Sequence, residues 1–180
     1  MIYLFICFFT IFITSRANLM YENMTGVATM AEYRLLVIFF TILSSCYFVY
    51  KTHKIFHFLF WQKKYIYNII NLTGLTMSLG ALCPSTINGQ DLFSKLHVYC
   101  SMFSSISFLV LLFIWTRQLV FENITIYNRI HWFYDFGIQM LGILIVVFTR
   151  VNGYIEIIFA ILVCSYLYMI ERHFAKEKSD

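Results

Sequence analysis

Residues 96–116, LHVYCSMFSSISFLVLLFIWT, pass without a single Asp, Glu, Lys or Arg. An α-helix needs about 20 mainly apolar residues to cross the hydrocarbon core of a bilayer, and this run supplies them. Within lipid every backbone N–H and C=O must find its partner inside the segment, so the run reads as a helix and not as an open strand. Five further apolar segments stand at residues 2–14, 35–50, 65–82, 132–148 and 154–170. The whole chain is 61% hydrophobic and 12% charged, where soluble domains carry about 25% charged residues. A soluble fold of 180 residues leaves too large a share of its surface in water to hide so much apolar area. The expectation is an all-α membrane protein: one polytopic domain over residues 1–180, a bundle of about six transmembrane helices. Their approximate bounds are 2–19, 30–50, 65–83, 96–116, 130–149 and 154–171.

The first segment admits two readings. It is short, and Ser15-Arg16-Ala17 behind it has the small-x-small form of a signal-peptidase site, so residues 1–17 could be a cleaved leader. The basic n-region of such a leader is missing, which favours a retained first helix stretched toward Leu19 by local bilayer thinning. The second segment reaches spanning length by borrowing residues 30–34, with the Arg34 side chain snorkelling to the interface. Behind it, IFHFLFW (residues 55–61) is either a short helix in the headgroup layer or a plain continuation of the second helix.

Orientation follows from the basic residues. Lys51, Lys54, Lys63, Lys64, Arg117, Arg129, Arg172, Lys176 and Lys178 fall on one side of a six-span arrangement, and only Arg16, Arg34, Lys95 and Arg150 on the other. The positive-inside rule then places both termini in the cytoplasm, with residues 15–32, 84–95 and 150–153 on the exoplasmic side. Which membrane holds the protein is left open. The net charge of +4 is scattered through short connections, which points to acidic phospholipid and not to nucleic acid. Membrane lipids and other membrane proteins are therefore the expected partners. Five cysteines form neither a C-x-x-C pair nor a zinc spacing, and buried thiols behave as small hydrophobes. No metal or cofactor is expected. Of three N-x-S/T sequons, only the one at Asn23 lies outside on this topology, making Asn23 a possible glycosylation site.

Polar groups inside spans are costly and tend to face the bundle interior, so they are the functional candidates. The third segment sets Asn68, Asn71, Gly74, Ser78 and Ala81 on one helical face, and Gly74-x-x-x-Ser78 is a small-residue seam for close helix packing. The fourth sets His97, Ser101, Ser104, Ser105 and Phe108 on one face. The fifth carries Asp135, Gln139 and Gly142, and the sixth Glu156, Ala160 and Cys164. Asn71, Asp135 and Gln139 read as an interior polar cluster, and Gly74, Ser78 and Gly142 as packing positions. Asp135 is placed in the first turn of its helix, either as a terminal charge on the backbone dipole or as a buried partner of Asn71. There is no G-x-S-x-G elbow, no H-E-x-x-H and no P-loop.

The order NIINLTGLTMSLGALCP, a short loop, then LHVYCSMFSSISFLVLLFIW resembles a six-helix membrane family. This is the family of the damage-regulated autophagy modulators, the FGF-receptor-activating-gene product and related GPI-lipid-remodelling proteins. What carries the likeness is an Asn and paired glycines in the third span, a His opening the fourth and a Glu near the start of the sixth. Here those fall on Asn71 (or Asn68), Gly74, Gly80, His97 and Glu156. The resemblance implies a six-helix, non-enzymatic protein that organises lipids or partner membrane proteins. The loop between the first two helices is shorter than the family's, and Ile157 stands where a Trp often follows the family's Glu.

Two other functions compete with that one. A small-solute transporter, or a transporter subunit, needs a polar cavity near the midplane. A membrane-embedded lipid hydrolase or transferase would be built from His97, Ser101 or Ser104, and Glu156, and would need base and nucleophile within reach of each other. The order of preference is organiser, carrier, hydrolase. His97 and Glu156, both near helix starts on the exoplasmic side, are expected to pair and tie the fourth helix to the sixth.

Overall fold

The computed structural model describes residues 2–60, 63–83 and 91–177, with the side chains at 58–60 and 175–177 set aside. Trp61, at the end of the aromatic run, and most of the expected 84–95 loop lie outside the described residues. The described residues are all-helical, 89% helix, with no strand among them. Among the described residues seven helices follow in order: α1 (Ile2–Thr14), α2 (Met24–Thr29), α3 (Ala31–Phe60), α4 (Lys64–Leu82), α5 (Leu92–Glu122), α6 (Ile124–Phe148) and α7 (Gly153–Glu177). Among them α3, α5, α6 and α7 are long and apolar enough to cross a membrane. This is a membrane protein.

Two of the six expected spans fall short of that standard. α1 has 13 residues, about 20 Å of helix against the roughly 30 Å of a hydrocarbon core. Its extension toward Leu19 does not form. The Arg16 N–H turns back to the Ile13 carbonyl at 3.0 Å, and the Asn18 side chain accepts from the Met20 N–H at 3.1 Å. An Asn bonding backbone two residues on favours a turn over a helix. α4 has the length, 19 residues, but Lys64, Asn68 and Asn71 dilute its apolar content.

Other helices outrun their expected bounds, for reasons of capping. α5 begins at Leu92 because Asp91 accepts from the Ser94 N–H (3.2 Å) and also holds the Ser94 hydroxyl. α6 begins at Ile124 because the Asn123 side chain accepts from the Ile126 N–H at 3.0 Å. Each cap satisfies a first-turn donor that the helix itself leaves without a partner. α3 runs on to Phe60, which selects the continuous helix over a separate interfacial one.

The chain divides into two compact units, residues 28–118 and residues 1–27 with 119–180. The first holds α3, α4 and nearly all of α5. The Trp115 indole donates to the Ile55 carbonyl at 3.3 Å, and the Phe48 and Phe108 rings lie 5.5 Å apart. Both contacts join residues 60 positions apart, so α3 and α5 run parallel, and α4 returns between their ends. Phe56, Leu111, Leu112 and Trp115 are fully buried. The second unit packs α7 against α6 and α1. The Phe133 and Tyr166 rings stack at 6.3 Å, and Leu162 lies against Gly137. The Tyr3 and Tyr168 rings meet edge to face at 6.4 Å.

Candidate functional site

The carbonyls of a helix's last turn have no donor within their own helix. For Gly80, near the end of α4, the ordinary donor would be the N–H of residue 84, and residue 84 is proline, which has none. His97 supplies one. Its Nδ1 lies 2.6 Å from the Gly80 carbonyl oxygen. A carbonyl only accepts, so Nδ1 carries the proton. The close approach depends on glycine: a Cβ on Gly80 would stand 3.1 Å from Ser101 Oγ and 3.3 Å from Cys100 Cβ. His97 and Ser101, four residues apart on α5, straddle it. The Ser104 hydroxyl donates to the Ser101 carbonyl at 2.9 Å, within its own helix.

A second tie joins α3 to α4. The Ser45 hydroxyl donates to the Gly74 carbonyl at 2.8 Å, and a Cβ on Gly74 would collide with Val49 Cγ2. One turn toward the start of α4, His53 Nε2 lies 2.7 Å from Asn71 Oδ1, and the His53 ring stacks on Tyr67 at 5.1 Å. Ser44 Oγ, Thr52 Oγ1 and the Tyr67 hydroxyl are buried in this unit without a hydrogen-bond partner among the described residues. Ser78 is half-buried on α4.

Glu156 belongs to the other unit. It lies in the first turn of α7, as expected, and its Oε2 accepts from the Met24 N–H at 2.6 Å. Around it the 15–23 linker and the 149–153 turn are knotted together. Asn152, fully buried, caps α7 by accepting from the Ile155 N–H (3.1 Å) and donates to the Met20 carbonyl (3.3 Å). The Gly153 N–H is shared between the Leu19 and Glu22 carbonyls at 3.1 and 2.7 Å. Asn23, the possible glycosylation site, accepts from the Gly26 N–H at 3.2 Å and donates to the Val151 carbonyl at 3.3 Å. His97 and Glu156 therefore each bond a backbone group within their own unit.

A scan of protein-family models, a search of curated proteins and a search of solved structures each find no match to this chain. Its chemistry is read from the geometry alone.

On α6 the sequence reading needs correction. Asp135 lies about three turns inside the helix, since α6 starts at Ile124, and a dipole effect confined to the first turn does not reach it. Asp135 is half-buried and Gln139 exposed. Gly142 meets nothing within 4 Å, and the tight glycine contact of this helix is Gly137, where a Cβ would stand 3.3 Å from Leu162 Cδ2. Among the described residues no three His, Cys, Asp or Glu side chains converge on a point.

The parallel register of α3 and α5 gathers several basic residues at one end of their unit. Lys51 and Lys54 near the end of α3, Lys63 and Lys64 at the start of α4, and Arg117 late in α5 share that end. No Asp or Glu occurs between Glu32 and Asp91. Lys54, Lys63, Lys64 and Arg117 are exposed. The Lys51 ammonium lies 5.5 Å from the Tyr47 ring centre, and the Arg117 guanidinium 5.1 Å from that of Phe113. Sequence reasoning missed His53 and Ser45 as helix ties. The signal for His53 was present: carrying α3 to residue 60 makes it a helical residue facing the α4 hairpin partner.

Proposed function

We propose that this protein is a non-enzymatic, multi-pass membrane protein that gathers anionic lipid, and with it partner membrane proteins, at the basic end of the α3–α4–α5 unit. The observation that carries this reading is the set of four lysines on α3 and α4, in a stretch with no acid between Glu32 and Asp91, joined at the same end by Arg117 of α5. Lysine and arginine beside a membrane surface attract anionic headgroups within a Debye length. Tyr47 and Phe113, in cation–π contact with two of these charges, suit the headgroup boundary.

Six spans with both termini in the cytoplasm remain the proposed topology. Parallel α3 and α5 support it: the chain must return across the same thickness between them, and α4 covers about 28 Å. The likeness to the autophagy-modulator family is part of the same proposal, carried by Gly74, Gly80 and His97 as packing and capping residues. The hydrolase reading gains no geometric support. His97 holds the Gly80 carbonyl, Ser104 bonds its own helix and Glu156 holds Met24.

The test is native mass spectrometry of protein in nanodiscs holding equal anionic and zwitterionic phospholipid. Retained lipid should be mainly anionic, and Lys51, Lys54, Lys63 and Lys64 all changed to Gln should lower its retention several-fold. Equal retention of both lipids, or no response to the quadruple change, would sink the reading.

A further inference from the structure

Helices α1 and α7 run antiparallel in a fixed register. Tyr3 meets Tyr168 edge to face at 6.4 Å. Four residues along α1 is Cys7; four residues back along α7 is Cys164. In an antiparallel pair this brings the two cysteines opposite each other, one turn from the tyrosines. The contacts agree. The Cys7 thiol reaches the Ala160 carbonyl, one turn from Cys164, at 3.9 Å. Ala160 and Cys164 are small and share the α7 face that also carries Glu156, so the helices approach closely there. Both cysteines are free thiols.

We infer that Cys7 and Cys164 form a modification site: a dithiol that a disulfide-class oxidant converts to a Cys7–Cys164 disulfide, linking α1 to α7. A disulfide needs facing Cβ atoms and Cα atoms within about 4.4–6.8 Å, which facing small residues on closely packed helices provide. Exposure assigns the roles. Cys164 is buried, with 2% of its surface exposed, while Cys7 is half-buried, so Cys7 meets the reagent. The Cys7 thiol loses its proton and its sulfur attacks one sulfur of the oxidant, R–S–S–R. A mixed disulfide forms and one R–S⁻ leaves. The Cys164 thiol then loses its proton and attacks the Cys7 sulfur; the protein disulfide forms and the second R–S⁻ departs. Two protein hydrogens end on two R–SH molecules, and the oxidant carries off two electrons. The other three cysteines have no such place: Cys46 is exposed on α3, Cys83 follows α4 and Cys100 lies beside Gly80.

The test treats the full-length chain in detergent micelles with 4,4′-dithiodipyridine, an apolar disulfide, followed by peptide mass spectrometry with and without reductant. Wild type should yield a linked Cys7–Cys164 peptide pair lighter by two hydrogens, with no pyridyl group left on Cys7, and reductant should reverse the link. Cys164→Ser should instead trap the pyridyl mixed disulfide on Cys7, releasing one thiopyridone from this site where wild type releases two. Cys7→Ser should leave Cys164 unmodified. A wild-type chain that keeps the pyridyl group on Cys7, or links Cys7 to a different cysteine, overturns the inference. So does Cys164 reacting in the Cys7→Ser protein as fast as Cys46. None of these outcomes depends on lipid retention at the basic end, so this inference and the proposed function fail separately.

Discussion

The Nδ1–H of His97 bonds the Gly80 carbonyl at 2.6 Å, and the residue that would otherwise serve that carbonyl is Pro84. The histidine that opens α5 and the chain's single proline are thus two halves of one solution to a helix end. His97→Ala should cost about 1–3 kcal/mol by leaving the acceptor without a donor. His97→Asn, whose amide nitrogen stands near the position of Nδ1, should cost clearly less. Adding Pro84→Ala to His97→Ala returns an N–H four residues beyond Gly80 and should recover part of the loss. Thermal denaturation in detergent reads all three; equal losses for Ala and Asn would remove the capping account.

Gly74 is expected to tolerate no side chain. A methyl group there meets Val49, whose β-branched side chain has few rotamers in a helix. Gly74→Ala should destabilise by about 1–3 kcal/mol, the usual range for overpacking. Val49→Ala in the same chain should restore part of it. Non-additivity in that double-mutant cycle is the diagnostic result, because the two sites share one contact.

For Glu156 the distinction between acceptor and charge is measurable. Glu156→Gln keeps a carbonyl oxygen for the Met24 N–H, while Glu156→Ala leaves that donor unserved. The expected order of melting temperature is wild type, then Gln close behind, then Ala lower by about 1–3 kcal/mol of stability. If Gln fell as far as Ala, the negative charge itself would be what holds α2.

Thr149 closes α6 with φ of 56°, the left-handed conformation that a β-branched residue adopts only under strain. Thr149→Gly should relieve it and raise stability by about 1 kcal/mol, less whatever the hydroxyl contributes through its bond to the Phe148 carbonyl. A lower melting temperature for the glycine variant would mean that this hydroxyl outweighs the strain.

Membrane orientation is checked by labelling. Lys64, at the start of α4, and Lys95, in the first turn of α5, are exposed. A cysteine at position 64 should react with an impermeant maleimide only from the cytoplasmic side, and one at 95 only from outside intact cells. Reaction of both from one side would exclude an odd number of crossings between them.

The sequence alone determined that this chain is helical and lives in a membrane, because hydrocarbon leaves the backbone no other way to satisfy its polar groups. Composition carries that information locally, as does the face that Gly74 and Asn71 share, or that His97 and Ser101 share, since both follow from 3.6 residues per turn. Helix ends were partly legible too: Asp91, Asn123 and Asn152 are all capping residue types. The continuation of α3 through a lysine- and aromatic-rich stretch was not legible, since a charged helix end and an interfacial helix share a composition. Only the tertiary structure decided the partners. That His97 serves Gly80, that Glu156 holds Met24, that His53 meets Asn71 and that Cys7 faces Cys164 all depend on the register between helices. Register is set by how side chains such as Phe48, Phe108, Tyr3 and Tyr168 interlock over long separations in the chain, and no local pattern encodes it.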